Sequence, residues 1–134
     1  YRGPQAFEFE SYMKELYARI ADQLWNNGYD ALISATLNTP HVPADHDHSL
    51  LDFELEGQKM PQLFIGSLTL PWNILNWHPV AVVPTGLTSQ NMPIGMQIIT
   101  APYSDMTTFR IAHAYERAAE PLFAGKRMPD FRSG

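Results

Sequence analysis

Two prolines around a β-branched run set the tightest limits on how this chain can fold. Val80 to Val83 is short and apolar, and Pro79 and Pro84 bracket it. The pattern predicts a short buried strand. Ile94, Met96, Ile98 and Ile99 make Met92 to Thr100 a second strand, although its alternation is less clean. The intervening TGLTSQN carries Gly86 and Asn91, two residues that tolerate positive φ where the chain reverses. The loop is longer than a two-residue hairpin allows, so the pair is expected as two strands joined by a longer reversal.

The rest of the chain supplies helices and one further strand. Phe9, Met13, Leu16, Tyr17, Ile20 and Leu24 recur at three and four, which predicts a helix from about Phe9 to Asn27 with one apolar face. Glu8 and Glu10 then lie at its positive end, and Asn27-Gly28 stops it. Asp30 to Ala35 contains ALISA, a buried strand expected to run parallel to strands outside these residues. Residues 36–61 lack periodicity and hold Pro40, Pro43 and Pro61, which predicts a long, functional loop. Short helices are expected near 59–69 and 71–76. A last helix is expected over 104–120, with Ser104 capping it, Asp105 in its first turn and Met106, Phe109, Ala112, Tyr115 and Ala119 on its apolar face. Residues 121–134 read as a tail.

Composition narrows the function. With 134 residues one domain is expected, able to bury roughly two-thirds of its unfolded surface. The net charge is −5 and the nine basic residues are scattered, which argues against nucleic acid as a partner. No run of 18 apolar residues suggests a membrane span. The absence of cysteine excludes disulfides and thiolate chemistry and is compatible with a cytoplasmic setting. The charged fraction of 17% falls below the usual ~25%, which fits a surface partly covered by something else.

Asn73, Pro79, Val83, Pro84, Gly86, Pro93, Gly95 and Gln97 stand in the order and spacing of the C-terminal signature of the amidase signature family, which this chain resembles. A helix-forming SDMTTFRIAHAYERA follows, and YDALISATLNTP upstream resembles the family's strand and loop of the form D-x-L-hydrophobic-x-P-T. The resemblance spans roughly residues 10–120. It departs at Ala35, where the family has Pro, and at Trp77-His78, where the family has Gly followed by a varied residue. It implies an α/β fold, the C-terminal part of a mixed sheet flanked by helices, with 1–134 as one piece of an amidase domain. It also implies acyl transfer through a Ser nucleophile, assisted by a second Ser in a cis peptide and a Lys. The Gly/Ser-rich segment that carries them is not recognisable here; Gly66-Ser67 is the one Gly-Ser pair in a strand-like context. No catalytic residue is therefore assigned to this chain, and no cofactor. It begins at Tyr1 although Met occurs six times, in keeping with a missing N-terminal part.

The candidate substrate-pocket residues are Thr36, Trp72, Asn73, Trp77 and His78. Thr36 follows a strand, where ligands of open α/β sheets gather. Trp72 and Trp77 can wall an apolar amide pocket or pack in a core. Asn73 is expected to bond backbone in a turn. His78 is either a general base, in a self-sufficient hydrolase with Ser67 or Thr69, or a packed residue at a strand entrance. His41, His46 and His48, interleaved with Asp45 and Asp47, are weak metal candidates in a non-catalytic binding module. The partners implied are the rest of the parent enzyme and a small-molecule amide. Two long helices and three strands cannot cover both faces of a buried sheet. Exposed apolar area is therefore expected, to be covered by the missing part or by a second copy in a homodimer.

Overall fold

A computed structural model describes residues 3–39, 45, 47, 53–60 and 68–119. Its elements, in order, are helix α1 (Pro4–Gln23), a 3-10 turn (Trp25–Asn27), strands β1 (Leu32–Ala35), β2 (Phe53–Leu55) and β3 (Gln58–Met60), helix α2 (Leu70–Ile74), strands β4 (Val80–Leu87) and β5 (Pro93–Ile99), and helix α3 (Asp105–Ala118). The architecture is α/β, with a three-stranded sheet in the order β1-β5-β4 and a separate β2-β3 hairpin.

The central strand is β5, which pairs antiparallel with both neighbours. Ile98 faces Ile33 and Ala81 across the sheet, while Ile99 faces Leu32 and Val80. Directly opposed residues share a face, so Ile98 and Ile99 anchor opposite faces. Both are fully buried, and each contributes about 1.5–3 kcal/mol by leaving water.

The antiparallel pairing of β1 corrects the expectation of a parallel strand with partners elsewhere. Its partner lies some sixty residues downstream, and a short apolar run carries no sign of direction. β4 does not end at Pro84 but runs on to Leu87, because Pro84 pairs with Gly95 and Gly86 with Ile94, leaving Thr85 as an extra residue in a bulge. An edge strand tolerates the missing N–H of proline, and Gly86 takes the φ of 153° that follows. The reversal closes at Asn91, φ 61°, with the Thr88 N–H bonded to the Met92 carbonyl.

Further corrections concern the helices and the long loop. α1 starts at Pro4, whose fixed φ suits a first helical position; Glu8 and Glu10 thus sit beyond the first turn. Phe9 is exposed, while Met13, Leu16, Tyr17, Ile20 and Leu24 turn inward as expected. Residues 53–60 form a hairpin around Glu56 and Gly57, both at positive φ, where a loop was expected. Of the helix expected near 59–69, residues 58–60 are strand, and 61–67 lie outside the described residues, as does the tail 121–134. At α3 the Ser104 side chain makes no cap bond. The carbonyl of Ser104 instead accepts from the Thr107 and Thr108 N–H groups and from the Thr100 and Thr108 hydroxyls. The two threonine hydroxyls meet at 2.6 Å in the interior. This buried pair turns Thr108 inward and leaves Met106 and Phe109 in solvent, contrary to the apolar face expected from periodicity.

α3 lies against β4 and β5, and its far end is held by the Tyr115 hydroxyl donating to the Pro84 carbonyl. Among the described residues β1 and β4 are open edges. Ile33 on one and Val82 on the other are more than half exposed, the apolar surplus expected from the element count.

Candidate functional site

The pocket candidates fall at opposite ends of β5. Thr36 follows β1 directly, and antiparallel pairing sets it beside Gly95. Its N–H and its hydroxyl both donate to the Gly95 carbonyl at 3.2 Å. A Cβ at position 95 would stand 3.0 Å from the Thr36 methyl and 3.1 Å from its hydroxyl, so only glycine lets the loop lie this close. Two residues on, the Gln97 side chain is 1% exposed. Its Nε2 group donates to the Ala35 carbonyl at 2.7 Å and the Leu68 carbonyl at 2.9 Å. One carboxamide thus ties β5, the end of β1 and the approach to α2. Ala35 and Thr36, where β1 ends, are held by groups that do not titrate.

The aromatic candidates gather at the other end, where the Thr100 N–H reaches the Pro79 carbonyl. Gly95 and Ile99 are four residues apart, so the two clusters are separated by about 13 Å along the strand. His78 is 4% exposed and forms the hub. Its ring stacks on Tyr17 at 5.2 Å and 3°, meets the edge of Trp72 at 5.7 Å and 67°, and lies 5.9 Å from Trp25. Tyr17 continues the column to Trp77 at 4.7 Å, and Trp77 to Tyr103 at 6.1 Å. The backbone braces it: the Trp77 N–H donates to the Tyr17 hydroxyl, and the Tyr103 N–H to the Trp77 carbonyl. The outermost rings face water, Trp77 at 51% and Tyr103 at 73% exposure. Tyr103 sits at φ 61°, a left-handed conformation that costs a non-glycine residue.

Both ring nitrogens of His78 are engaged. The Trp25 indole N–H donates to Nε2 at 3.4 Å, and Nδ1 lies 3.3 Å from the Leu75 carbonyl. An indole only donates and a carbonyl only accepts. These partners assign the neutral tautomer with the proton on Nδ1. Burial pushes the imidazole below its ordinary value of 6.5, against a smaller opposing effect of the Leu75 bond. With its lone pair taken by Trp25, His78 has no free nitrogen to serve as a base. The packed residue at a strand entrance is the arrangement found, and Trp72 and Trp77 are parts of the same packing.

Asn73 is exposed on α2; its N–H donates to the Thr69 carbonyl, and among the described residues its carboxamide bonds no backbone group. His41, His46 and His48, and also Ser67, lie outside the described residues. Among the described residues no three His, Cys, Asp or Glu side chains are grouped to hold a metal ion, and no helix is long and apolar enough to cross a membrane. Tyr17, Trp25 and Tyr103 complete the column, and sequence reasoning did not single them out. The signal available for Trp25 was an aromatic residue at the helix stop; nothing in the sequence marks a left-handed tyrosine.

Comparison with known proteins identifies the family. The Amidase family model matches residues 4–109. A glutamyl-tRNA(Gln) amidotransferase subunit of Dehalococcoides mccartyi is 37% identical over 103 residues, 74% of this chain and 19% of that protein. Its counterpart in Bartonella henselae is 29% identical over 114 residues, 85% of this chain and 22% of its own length. The chain thus spans about a fifth of these relatives. A crystal structure of an amidase superposes with a TM-score of 0.66 at 23% identity, over 81% of this chain and 23% of the other. That of a glutamyl-tRNA(Gln) amidotransferase subunit from Thermotoga maritima does so with 0.53 at 28% identity, over 83% and 22%.

Proposed function

This chain belongs to the amidase family, and from that premise we propose that it forms the C-terminal wall and scaffold of an enzyme that hydrolyses a carboxylic amide. The parent is a free amidase or the amidase subunit of a glutamine-dependent amidotransferase. Its Ser nucleophile, second Ser and Lys belong to polypeptide outside these 134 residues. There the hydroxyl attacks the amide carbonyl, the Ser/Lys pair takes its proton, and backbone N–H groups hold the oxyanion.

The observation that carries this reading is the fixing of the end of β1. Thr36 is bonded to the Gly95 carbonyl and the Ala35 carbonyl to the Gln97 carboxamide, so the segment that leaves the strand starts from a fixed point. Thr36 and its neighbours are the part of the chain we assign to the wall of the reaction cleft. Trp77 and Trp72 at the far end are assigned to the reach of a bulky amide, with Tyr17 holding Trp77 in place and His78 packed behind Tyr17 rather than touching substrate.

The test is steady-state kinetics of the complete enzyme. Trp77→Ala is expected to change the ratio of kcat/KM between bulky and small amides while leaving the melting temperature within a few degrees. Unchanged ratios with a large fall in melting temperature would return Trp77 to packing alone. Thr36→Val keeps the shape of the loop and removes its hydroxyl. It is expected to lower kcat/KM for all amides alike, and undiminished kcat/KM would remove residues 36–39 from the cleft.

A further inference from the structure

The attachment of α1 to the remainder of the fold runs through the rings around His78. Tyr17 comes from α1 and Trp25 from the 3-10 turn that follows it; Trp72 and Leu75 come from α2 and the residue after it, and His78 itself opens the path into β4. The sheet and α3, by contrast, share their own interior of Ile98, Ile99 and the Thr100–Thr108 pair. Among the described residues the two groups meet at the imidazole and at the Tyr17–Trp77 stack beside it.

We propose that His78 is a proton-sensitive latch: its neutral ring receives the Trp25 indole N–H and holds α1 on the sheet, and protonation of Nε2 sets two donors face to face and releases α1 while the sheet and α3 stay folded. The partners on the two ring nitrogens carry the inference, since neither indole nor carbonyl can exchange its role. Among the described residues no carboxylate faces the ring to favour the imidazolium. From α1 the group facing the ring is the Tyr17 phenol. The acids of that helix nearest in sequence are turned to solvent, Glu15 bonded to Arg19 and Asp22 to Asn26. The 3-10 turn presents Trp25 and α2 presents Trp72, neither of which titrates. The loop before β4 presents Trp77 to Tyr17, and Tyr103 reaches the hub only through Trp77.

The direction follows from linkage. Burial lowers the proton affinity of the imidazole, so the released form binds the proton more tightly. The latch is at full strength above about pH 6.5 and weakens as the pH falls through that value towards the lower one of the latched form. Below the lower value nothing further is lost.

Amide hydrogen exchange of the full chain between about pH 7.5 and about pH 5 tests the proposal. Corrected for intrinsic rates, the protection of α1 amides is expected to fall by up to about tenfold per pH unit, while β5 holds. His78→Gln, which cannot titrate, should abolish the difference between the two pH values. Trp25→Phe, which removes the opposing donor, should reduce it. Equal loss in α1 and β5, no loss in either, or a His78→Gln chain that titrates like the wild type would each overturn the latch. Should the variants not fold, the wild type decides: nitrogen NMR at neutral pH must show His78 protonated on Nδ1, and protonation on Nε2 refutes the mechanism.

Discussion

At its Gly95 end β5 is fixed by hydroxyl and carboxamide groups bonded to backbone, whereas at its Ile99 end the surroundings are aromatic rings stacked around one imidazole. The first end offers close approach and direction. A glycine lets Thr36 lie against the strand, and the two donors of one NH2 group place two segments. The second offers area and a polar centre that can change charge. Polar groups bonded to carbonyls give an arrangement indifferent to pH. Rings around a histidine give one that acid can loosen.

Substitutions at Gln97 should produce the largest effects and separate the two ends most clearly. Gln97→Glu turns acceptor-only oxygens onto the carbonyls of Ala35 and Leu68. At neutral pH it is expected to cost about 3–5 kcal/mol, the cost of an uncompensated buried charge. Its stability should rise as the pH falls into the carboxyl range, because the neutral acid regains a donor. That is the opposite sign to the wild-type response at His78, and denaturant melts at several pH values would show it. Gln97→Met, close in size, should cost about 2–4 kcal/mol at every pH by leaving two carbonyls without donors.

A smaller loss is expected from Gly95→Ala. The added methyl meets Thr36 at 3.0 Å, and overpacking of this kind costs about 1–3 kcal/mol. The same variant should impair kcat/KM of the complete enzyme more than its stability loss explains, because Thr36 is displaced. Smallest are Thr108→Val at the α3 joint and Tyr17→Phe in the ring column. The first loses the hydroxyl's contacts with Thr100 and the Ser104 carbonyl, the second the acceptor of the Trp77 N–H, and both keep the packing, for about 1–1.5 kcal/mol each. Urea midpoints rank all of these. A Tyr17→Phe effect as large as that of Gln97→Met would erase the contrast between the ends.

Much of this fold was legible where the signal is local. The left-handed Gly28, the reversal at Asn91, the two strands around it and the final helix all follow from residues within a few positions of one another, although α1 itself ends at Gln23 before a 3-10 turn, and Gly86 sits in the β4 bulge rather than in the reversal. Signals failed where the cause lies far away or is conformationally weak. The direction of β1 is set by pairing with Ile99 to Met96, which its own apolar run cannot reveal. The hairpin at residues 53–60 turns on Glu56-Gly57, both at positive φ, where asparagine or aspartate before glycine is the recognisable signal. The inward face of α3 is chosen by a buried threonine, which periodicity of apolar residues passes over. At the site, Gly95 and Gln97 are picked out by their place in the signature spacing, and the Gln97 bond to Ala35 lies within the sheet. That Gln97 reaches Leu68 as well depends on tertiary structure. The candidates Thr36, Trp77 and His78 were named together, and antiparallel register places them about 13 Å apart along β5.

The most direct test is an amide hydrolysis assay of two proteins side by side: these 134 residues alone, and the complete parent enzyme that contains them. The prediction is no turnover by the first and ammonia release from simple amides by the second. Turnover by the 134 residues alone would contradict the assignment of this chain to scaffold and wall.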